Sequence, residues 1–412
     1  MLWNASGCIF YLGCQWLTTI LVVRFSSSFE NSGTLAFAMA TGIIFASISL
    51  YKIRTFQVSD ITHEYSGQNY IAFRIVTILA AYFFCIAYLF LISQNSNYLV
   101  SSMLYLLFKS DETFSDVLYG IEQCNDRMDY IGKSQFIRGI ASLVGFALPL
   151  AATSDLNAAI LGMTGACILV TLVYDLPRAK LFGKIRPRIS KEQAIHLAKA
   201  CLLAMIASLC ANSIVSVVRQ YFGIVNGEEL LGIYASVATP AVLIQVAASY
   251  LYSPLIGSLA STKYKSGHQA FLSSFTKIFG ILVLAIMILV VVLSLLGGFI
   301  LQLAFGETIK PYVFLFPFVL IATGCVGILF YVNDVLIIIR KTSMMLACNV
   351  IALCGALSSS IPLIGLYGMN GINFAIIIGS LLGALLGILS VRRSETNKSN
   401  GKHTHINIKI RP

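Results

Sequence analysis

The chain has 412 residues, of which 58% are hydrophobic and only 11% charged, and its mean hydropathy is +0.84. That composition excludes an ordinary soluble domain and requires an integral membrane protein. In a soluble chain a net charge of +11 would raise nucleic acid as a partner; here the bases cluster in and beside short loops between apolar runs, where they set topology, and no nucleic acid is expected.

Residues 2–23 lack a basic leader and a clear small-residue cleavage site, so they are expected to form a retained first span, not a signal peptide. Further spans are expected at 34–51, 71–92, 98–121, 136–152, 157–176, 194–217, 228–252, 275–304, 311–337, 343–365 and 370–391, which makes an all-α polytopic protein of about twelve transmembrane helices. Two of them are unusual. The stretch 136–152 is short and contains Pro149, and 275–304 is long enough to need tilt or an extension into water. The ten cysteines include no CxxC pair, and all but Cys124 sit in apolar runs, so they read as small buried hydrophobes.

Alternate loops carry the bases: Lys52 and Arg54; Arg127, Lys133 and Arg138; the run from Arg178 to Lys191; Lys263, Lys265 and Lys277; Arg340 and Lys341; and the tail. The opposite set holds only Arg24, Arg219 and Lys310. The positive-inside rule then places both termini in the cytoplasm. No outward loop exceeds about a dozen residues, which leaves no room for an ordinary extracytoplasmic domain. The longest basic connection, 177–193, contains Pro177 and Pro187 and divides the chain into two six-helix bundles, 1–176 and 194–391. Six spans in each mean that both halves enter from the same side, so a repeat would be related by an axis along the membrane normal. The basic tail 392–412 is polar and is expected to be disordered; its His403 and His405 are incidental.

The stretch 98–123 is long and apolar enough to cross a bilayer, yet it carries Lys109, Glu112 and Asp116. At helical spacing Ser102, Tyr105, Lys109, Glu112, Thr113, Asp116 and Gly120 share one face, with Asp111 opposite and in need of another partner or of water. Lys109 falls roughly 16 Å from the start of a core about 30 Å thick, too deep to snorkel. Such a stripe must face a watery cavity or other charges. Two readings remain open: Lys109, Glu112 and Asp116 neutralise one another as a structural patch, or they line a transport pathway.

Nothing resembles an enzyme's apparatus, since GxSxG and HExxH are absent and Gly132-Lys133-Ser134 lacks the earlier glycine of a phosphate loop. No cofactor is implied. His63, His196 and His268 each stand alone near the expected cytoplasmic face. Pro240 lies near the middle of the eighth span, where it frees a backbone carbonyl and sets either a fixed kink or a gating bend. Asp334 is either an interfacial carboxylate near Arg340 and Lys341 or an ion-coupling acid. Arg74 lies close to the inner boundary.

The run from Val217 to Gly267, with Arg-x-Tyr-Phe at 219–222, Gly-x-Tyr-Ala at 232–235 and Pro254 followed by Leu259-Ala260, resembles the seventh-to-eighth-span region of the O-antigen and polysaccharide flippases (Wzx-like) of the multidrug/oligosaccharidyl-lipid/polysaccharide flippase superfamily. A second stretch, 110–140, is similar to that family's fourth-to-fifth-span pattern through Glu112, Ser115-Asp116, Tyr119-Gly120, Gln123, Arg127-Met128, Ser134 and Arg138-Gly139. The resemblance implies a flippase of a bacterial cytoplasmic membrane, which moves a lipid-linked oligosaccharide on undecaprenyl pyrophosphate from the inner to the outer leaflet for surface polysaccharide, such as the O-antigen of lipopolysaccharide. Membrane lipid and other polysaccharide-assembly proteins are the implied partners.

Such a protein must shelter a charged head group while the polyprenyl tail stays in lipid, and a basic lining offsets the pyrophosphate. Lys109 is the midplane candidate, Arg24 and Arg219 would meet the phosphate at the outer rim and Arg74 at the inner, although each rim arginine could instead be an anchor. The rival reading is a cation-coupled drug or small-molecule exporter with its ion site at Glu112 and Asp116. A membrane glycan polymerase is less favoured, because it usually needs a sizeable outward loop.

Overall fold

A computed structural model of the chain describes residues 2–26, 28–60 and 64–393, so the expectations for His63 and for 394–412 lie outside the described residues. The described residues are overwhelmingly helical and contain no strand. The first half comprises α1 (Leu2–Arg24), α2 (Glu30–Leu50), the short α3 (Ile53–Ser59), α4 (Gly67–Ile92), α5 (Ser96–Cys124), α6 (Met128–Thr153) and α7 (Leu156–Val170). A π-helical turn, Thr171–Asp175, carries α7 into the four-residue α8 (Leu176–Ala179). Then follow α9 (Lys191–Asn226), α10 (Glu228–Ala238), α11 (Val242–Lys265), α12 (Gly267–Phe305), α13 (Phe316–Ile338), α14 (Thr342–Tyr367) and α15 (Met369–Arg392).

Eleven helical stretches among the described residues are long and apolar enough to cross a membrane, and α5, with 29 residues, is a twelfth of sufficient length whose charges set it apart. The order and type of the expected spans therefore hold. Their ends move outward, because helices continue past the hydrocarbon wherever their ends are capped. Asn95 accepts from the Asn97 amide at the start of α5, and Ser190 accepts from the Gln193 amide while Gln193 reaches back, so α9 starts at Lys191 and runs 36 residues. The expected short span 136–152 is corrected to α6, 26 residues long, with Pro149 tolerated near its carboxyl end. That extension takes Lys133 and Arg138 out of the loop set and into a helix. The long span is α12, whose 39 residues reach about 58 Å.

The membrane-embedded core has no hydrophobic drive from water, so close packing selects the pairings. On the amino-terminal side of the basic connection α1 lies along α6, α6 along α7 and α2 along α5; on the carboxyl-terminal side α14 pairs with α15 and α9, and α11 with α12. Contacts that cross between the two sides run chiefly from α2 to α9 and α10. At one end of that seam the helices touch backbone to backbone: a Cβ on Gly33 would lie 1.8 Å from the Glu228 carbonyl oxygen, and one on Gly232 2.0 Å from that of Phe29. The eighth span is broken by the 3₁₀ turn Thr239–Ala241 around Pro240, which separates α10 from α11.

Candidate functional site

The polar face of α5 is built by helical period, and the helices around it decide which part stays reachable. α1 lies on α6 and touches α2 only lightly, while α2 covers the other flank of α5. Ser102, Tyr105 and Thr113 are buried, whereas Lys109 keeps 18% of its side chain exposed, Glu112 26% and Asp116 21%. The exposed portion of the stripe is its charged portion. Lys109 Nζ donates to Glu112 Oε2 at 2.5 Å, and the Tyr11 hydroxyl of α1 donates to Glu112 Oε1 at 2.8 Å. The ammonium also lies 5.4 Å from the Phe108 ring and 5.8 Å from the Tyr105 ring, within cation–π range.

Asp116 does not complete a triad with Lys109 and Glu112. Its Oδ1 accepts from Arg54 Nη1 at 3.0 Å and its Oδ2 from Arg74 Nη2 at 2.8 Å. Arg54 also donates from Nε (3.2 Å) and Nη2 (2.9 Å) to the Gln123 amide oxygen. Two guanidiniums on one carboxylate leave this cluster one positive charge in excess. Arg74 is corrected from a rim cation to a wholly buried one: it is 0% exposed, and its Nη1 donates to the Ser49 carbonyl at 2.6 Å. Arg54 is the partly exposed member of the pair.

Asp111 finds its partner in a second network on the opposite face of α5. Arg138 of α6, 1% exposed, reaches Asp111 with Nη1 at 2.5 Å and Asp175 with Nη2 at 3.1 Å. That Nη2 also contacts the hydroxyls of Ser115 and Thr171, and Ser134 donates to Asp175 at 2.5 Å. The π turn presents both Thr171 and Asp175 to this guanidinium. Sequence reasoning missed Arg138 and Asp175 as a pair. The available signal was Asp111 itself, a charged residue off the stripe that needed an unseen base.

The remaining residues are dispersed. Arg24 caps α12, donating to the carbonyls of Leu303 (2.6 Å) and Ala304 (2.8 Å), where a cation suits the negative end of the helix. Arg219 has no ion pair among the described residues; its Nε is buried without a partner and its guanidinium lies 5.5 Å from the Tyr234 ring. Asp334 lies beside the Tyr252 hydroxyl, and Lys341 is committed elsewhere, donating to the Ser390 carbonyl at 3.0 Å. His196 is not solitary: its Nδ1 lies 2.6 Å from the Tyr65 hydroxyl.

The two sides of the molecule meet backbone to backbone at one end, and at the other the start of α9 joins them, with the Tyr51 hydroxyl donating to the Ala198 carbonyl at 3.3 Å and Asn69 Nδ2 to the Gln193 amide oxygen at 3.2 Å. Around the Gly33–Gly232 contact, Glu228 accepts from Asn95 Nδ2 at 2.5 Å and from Thr34 at 3.0 Å, and the Ser32 and Ser236 hydroxyls are 3.3 Å apart. Seven of the eleven residues of α10 are buried. Past the turn at Pro240, α11 leaves Ser253, Pro254, Gly257 and Ser258 exposed and makes no extensive contact with α2 or α5.

No protein-family model matches the chain. The capsular polysaccharide biosynthesis protein CapF of Staphylococcus aureus is 28% identical over 163 residues, which is 39% of this chain and 40% of that protein. Among solved structures, the inward-facing form of a multidrug resistance MATE family transporter of the MOP superfamily superposes with a TM-score of 0.76 at 12% identity, covering 92% of this chain and 93% of that one. The lipid II flippase MurJ, in an inward closed conformation, gives 0.74 at 14% identity over 95% and 88%, and an outward-facing MATE transporter gives 0.63 at 12% over 95% and 94%. The chain thus has the fold shared by the MATE transporters and MurJ, and is more similar to these two inward forms than to that outward one.

Proposed function

We propose that this protein translocates a lipid-linked oligosaccharide across a bacterial cytoplasmic membrane, from the inner to the outer leaflet, by alternating access between two six-helix bundles. The observation that carries the reading is the charged portion of the α5 stripe: it remains reachable deep in an apolar protein, and its net excess is positive at Arg54 and Arg74 around Asp116. A pyrophosphate is attracted to such a site, a sugar chain is served by Tyr11, Glu112 and Gln123, and no covalent chemistry is needed. Lys109 and Arg54 contact the head group, Arg219 receives it on the far side, and the break at Pro240 lets α11 move relative to α10. Likeness to MurJ and to CapF supports a lipid-linked glycan, and the basic loops support cytoplasmic termini.

The second reading, a cation-coupled exporter of small molecules, draws on the likeness to the multidrug MATE structure. It is disfavoured by Glu112 and Asp116 both being engaged by the protein's own bases. Proteoliposomes holding the purified protein decide between them. Accelerated transfer of a fluorescent undecaprenyl-pyrophosphate oligosaccharide, without gradient-driven movement of a cationic dye, is the expected result; dye movement with no lipid transfer would overturn the proposal.

A further inference from the structure

The connection between the two sets of spans is an ordered strap. Ile185 and Ile189 pack into the cluster formed by Tyr65, Tyr70 and Phe73, the Arg188 amide donates to the Gln68 carbonyl at 3.4 Å, and Asn69 Nδ2 donates to the Arg188 carbonyl at 2.8 Å. With its apolar side chains pinned inward, the strap turns Lys180, Lys184, Arg186 and Arg188 outward, and all four are exposed. None of the four has an ion pair among the described residues, and Glu192 is the only acid in 176–193. Arg178, by contrast, is held between rings, 3.6 Å from Tyr174 and 5.4 Å from Tyr130.

Directly before the strap, Leu169 near the end of α7 and Leu172 and Val173 in the π turn are exposed, Leu176 packs inward with Ile185 and Ile189, and Lys180 follows, exposed. Leu181 is 70% exposed beside Lys180. Exposed apolar residues of a membrane-spanning helix therefore lead straight into a set of fixed, unneutralised cations. Acyl chains match the apolar residues and a phosphate matches the cations, each in the order in which a lipid presents them.

We propose that the exposed apolar residues of α7 and the π turn, together with the strap, form a binding track for an acidic phospholipid of the adjoining leaflet, with its acyl chains along Leu169, Leu172 and Val173 and its phosphate on Lys180, Lys184 and Arg186. The site is independent of what the protein transports. Charge complementarity selects the occupant: a zwitterionic head group leaves the four cations unneutralised, whereas phosphatidylglycerol brings a net negative charge.

The test uses the full-length protein, purified and exposed to equal amounts of phosphatidylglycerol and phosphatidylcholine, with bound lipid read by native mass spectrometry. Wild type is expected to retain phosphatidylglycerol roughly fivefold or more over phosphatidylcholine. The combination Lys180→Gln, Lys184→Gln and Arg186→Gln should bring the ratio near parity, Lys184→Glu alone should lower it, and Lys184→Arg and Lys310→Gln should leave it unchanged. Wild type without preference would overturn the proposal, as would an undiminished preference in both the triple variant and Lys184→Glu. With undecaprenyl pyrophosphate added in equal amount as a third lipid, its retention without that of phosphatidylglycerol would overturn the proposal too, because the strap would then read the polyprenyl carrier and not the bulk lipid.

Discussion

Lys109 and Glu112 form a closed ion pair at 2.5 Å, and Asp116, one turn further along the same face, belongs to Arg54 and Arg74 instead. That division determines which neutral combinations are informative. Lys109→Gln alone leaves Glu112 with only the Tyr11 hydroxyl, and breaking a largely buried pair costs up to about 3 kcal/mol, so yield should fall. The double change Lys109→Gln and Glu112→Gln should restore yield and still abolish lipid transfer in proteoliposomes. Recovery of both yield and transfer would reduce the pair to a structural role.

Arg54 and Arg74 should behave differently despite sharing Asp116. Arg74→Gln removes a fully buried guanidinium that also holds the Ser49 carbonyl, and is expected to destabilise by about 3–5 kcal/mol, seen as loss of monodisperse protein. Arg54→Gln, with more solvent, should accumulate near wild-type levels and lose transfer. Equal yields for the two variants would contradict the burial difference.

A third expectation concerns the Arg138 network. Arg138→Met leaves Asp111 and Asp175 buried together without their base, which should cost about 3–5 kcal/mol and lower the temperature of aggregation in detergent. Adding Asp111→Asn and Asp175→Asn should restore most of it, because no charge is then left uncompensated. If the triple variant is no better than Arg138→Met, the network acts through its geometry and not its charge balance.

The contact of Gly33 with α10 predicts a conformational bias. Gly232→Val places a branched side chain where even a Cβ meets the Phe29 carbonyl at 2.0 Å, so the sealed end cannot close as it does here. In a background cleared of native cysteines, Ser236→Cys should be shielded from an impermeant thiol reagent applied outside cells, and should become labelled once Gly232→Val is added. Unchanged shielding in a well-expressed double variant would place the seal elsewhere.

Orientation is testable in the same background. Ser96→Cys, exposed at the start of α5, should react from outside intact cells, and Lys184→Cys in the strap should not. The reverse pattern would invert every assignment of inner and outer end.

What was legible in the sequence follows from how far each signal reaches. The spans and the charged face of α5 depend on length, apolarity and a period of 3.6, all local properties, and Asp111 could be recognised as needing a partner because it broke that period. The partner's identity depended on how α5, α6 and the π turn meet, which no local pattern encodes. Arg138 was therefore counted as a loop base, and Asp175 drew no notice. Arg74 was misplaced for a related reason: its nearness to the inner boundary suggested a cation at the rim, whereas the side chain turns inward to Asp116 and Ser49. The break in the eighth span was visible in Pro240, but the enclosure of α10 and openness of α11 on either side of it were not.

The cap that Arg24 places on α12 has a thermodynamic corollary. Two carbonyls at the carboxyl end of a 39-residue helix are satisfied by a side chain of α1, so any arrangement that parts the two helices must return both carbonyls and the guanidinium to solvent. For a group as exposed as this one the exchange costs on the order of 1 kcal/mol, which weights the equilibrium about fivefold towards the joined form. A single surface arginine thereby acts as a small standing bias on the resting population, one that a competing anion or high salt would erode without touching the interior.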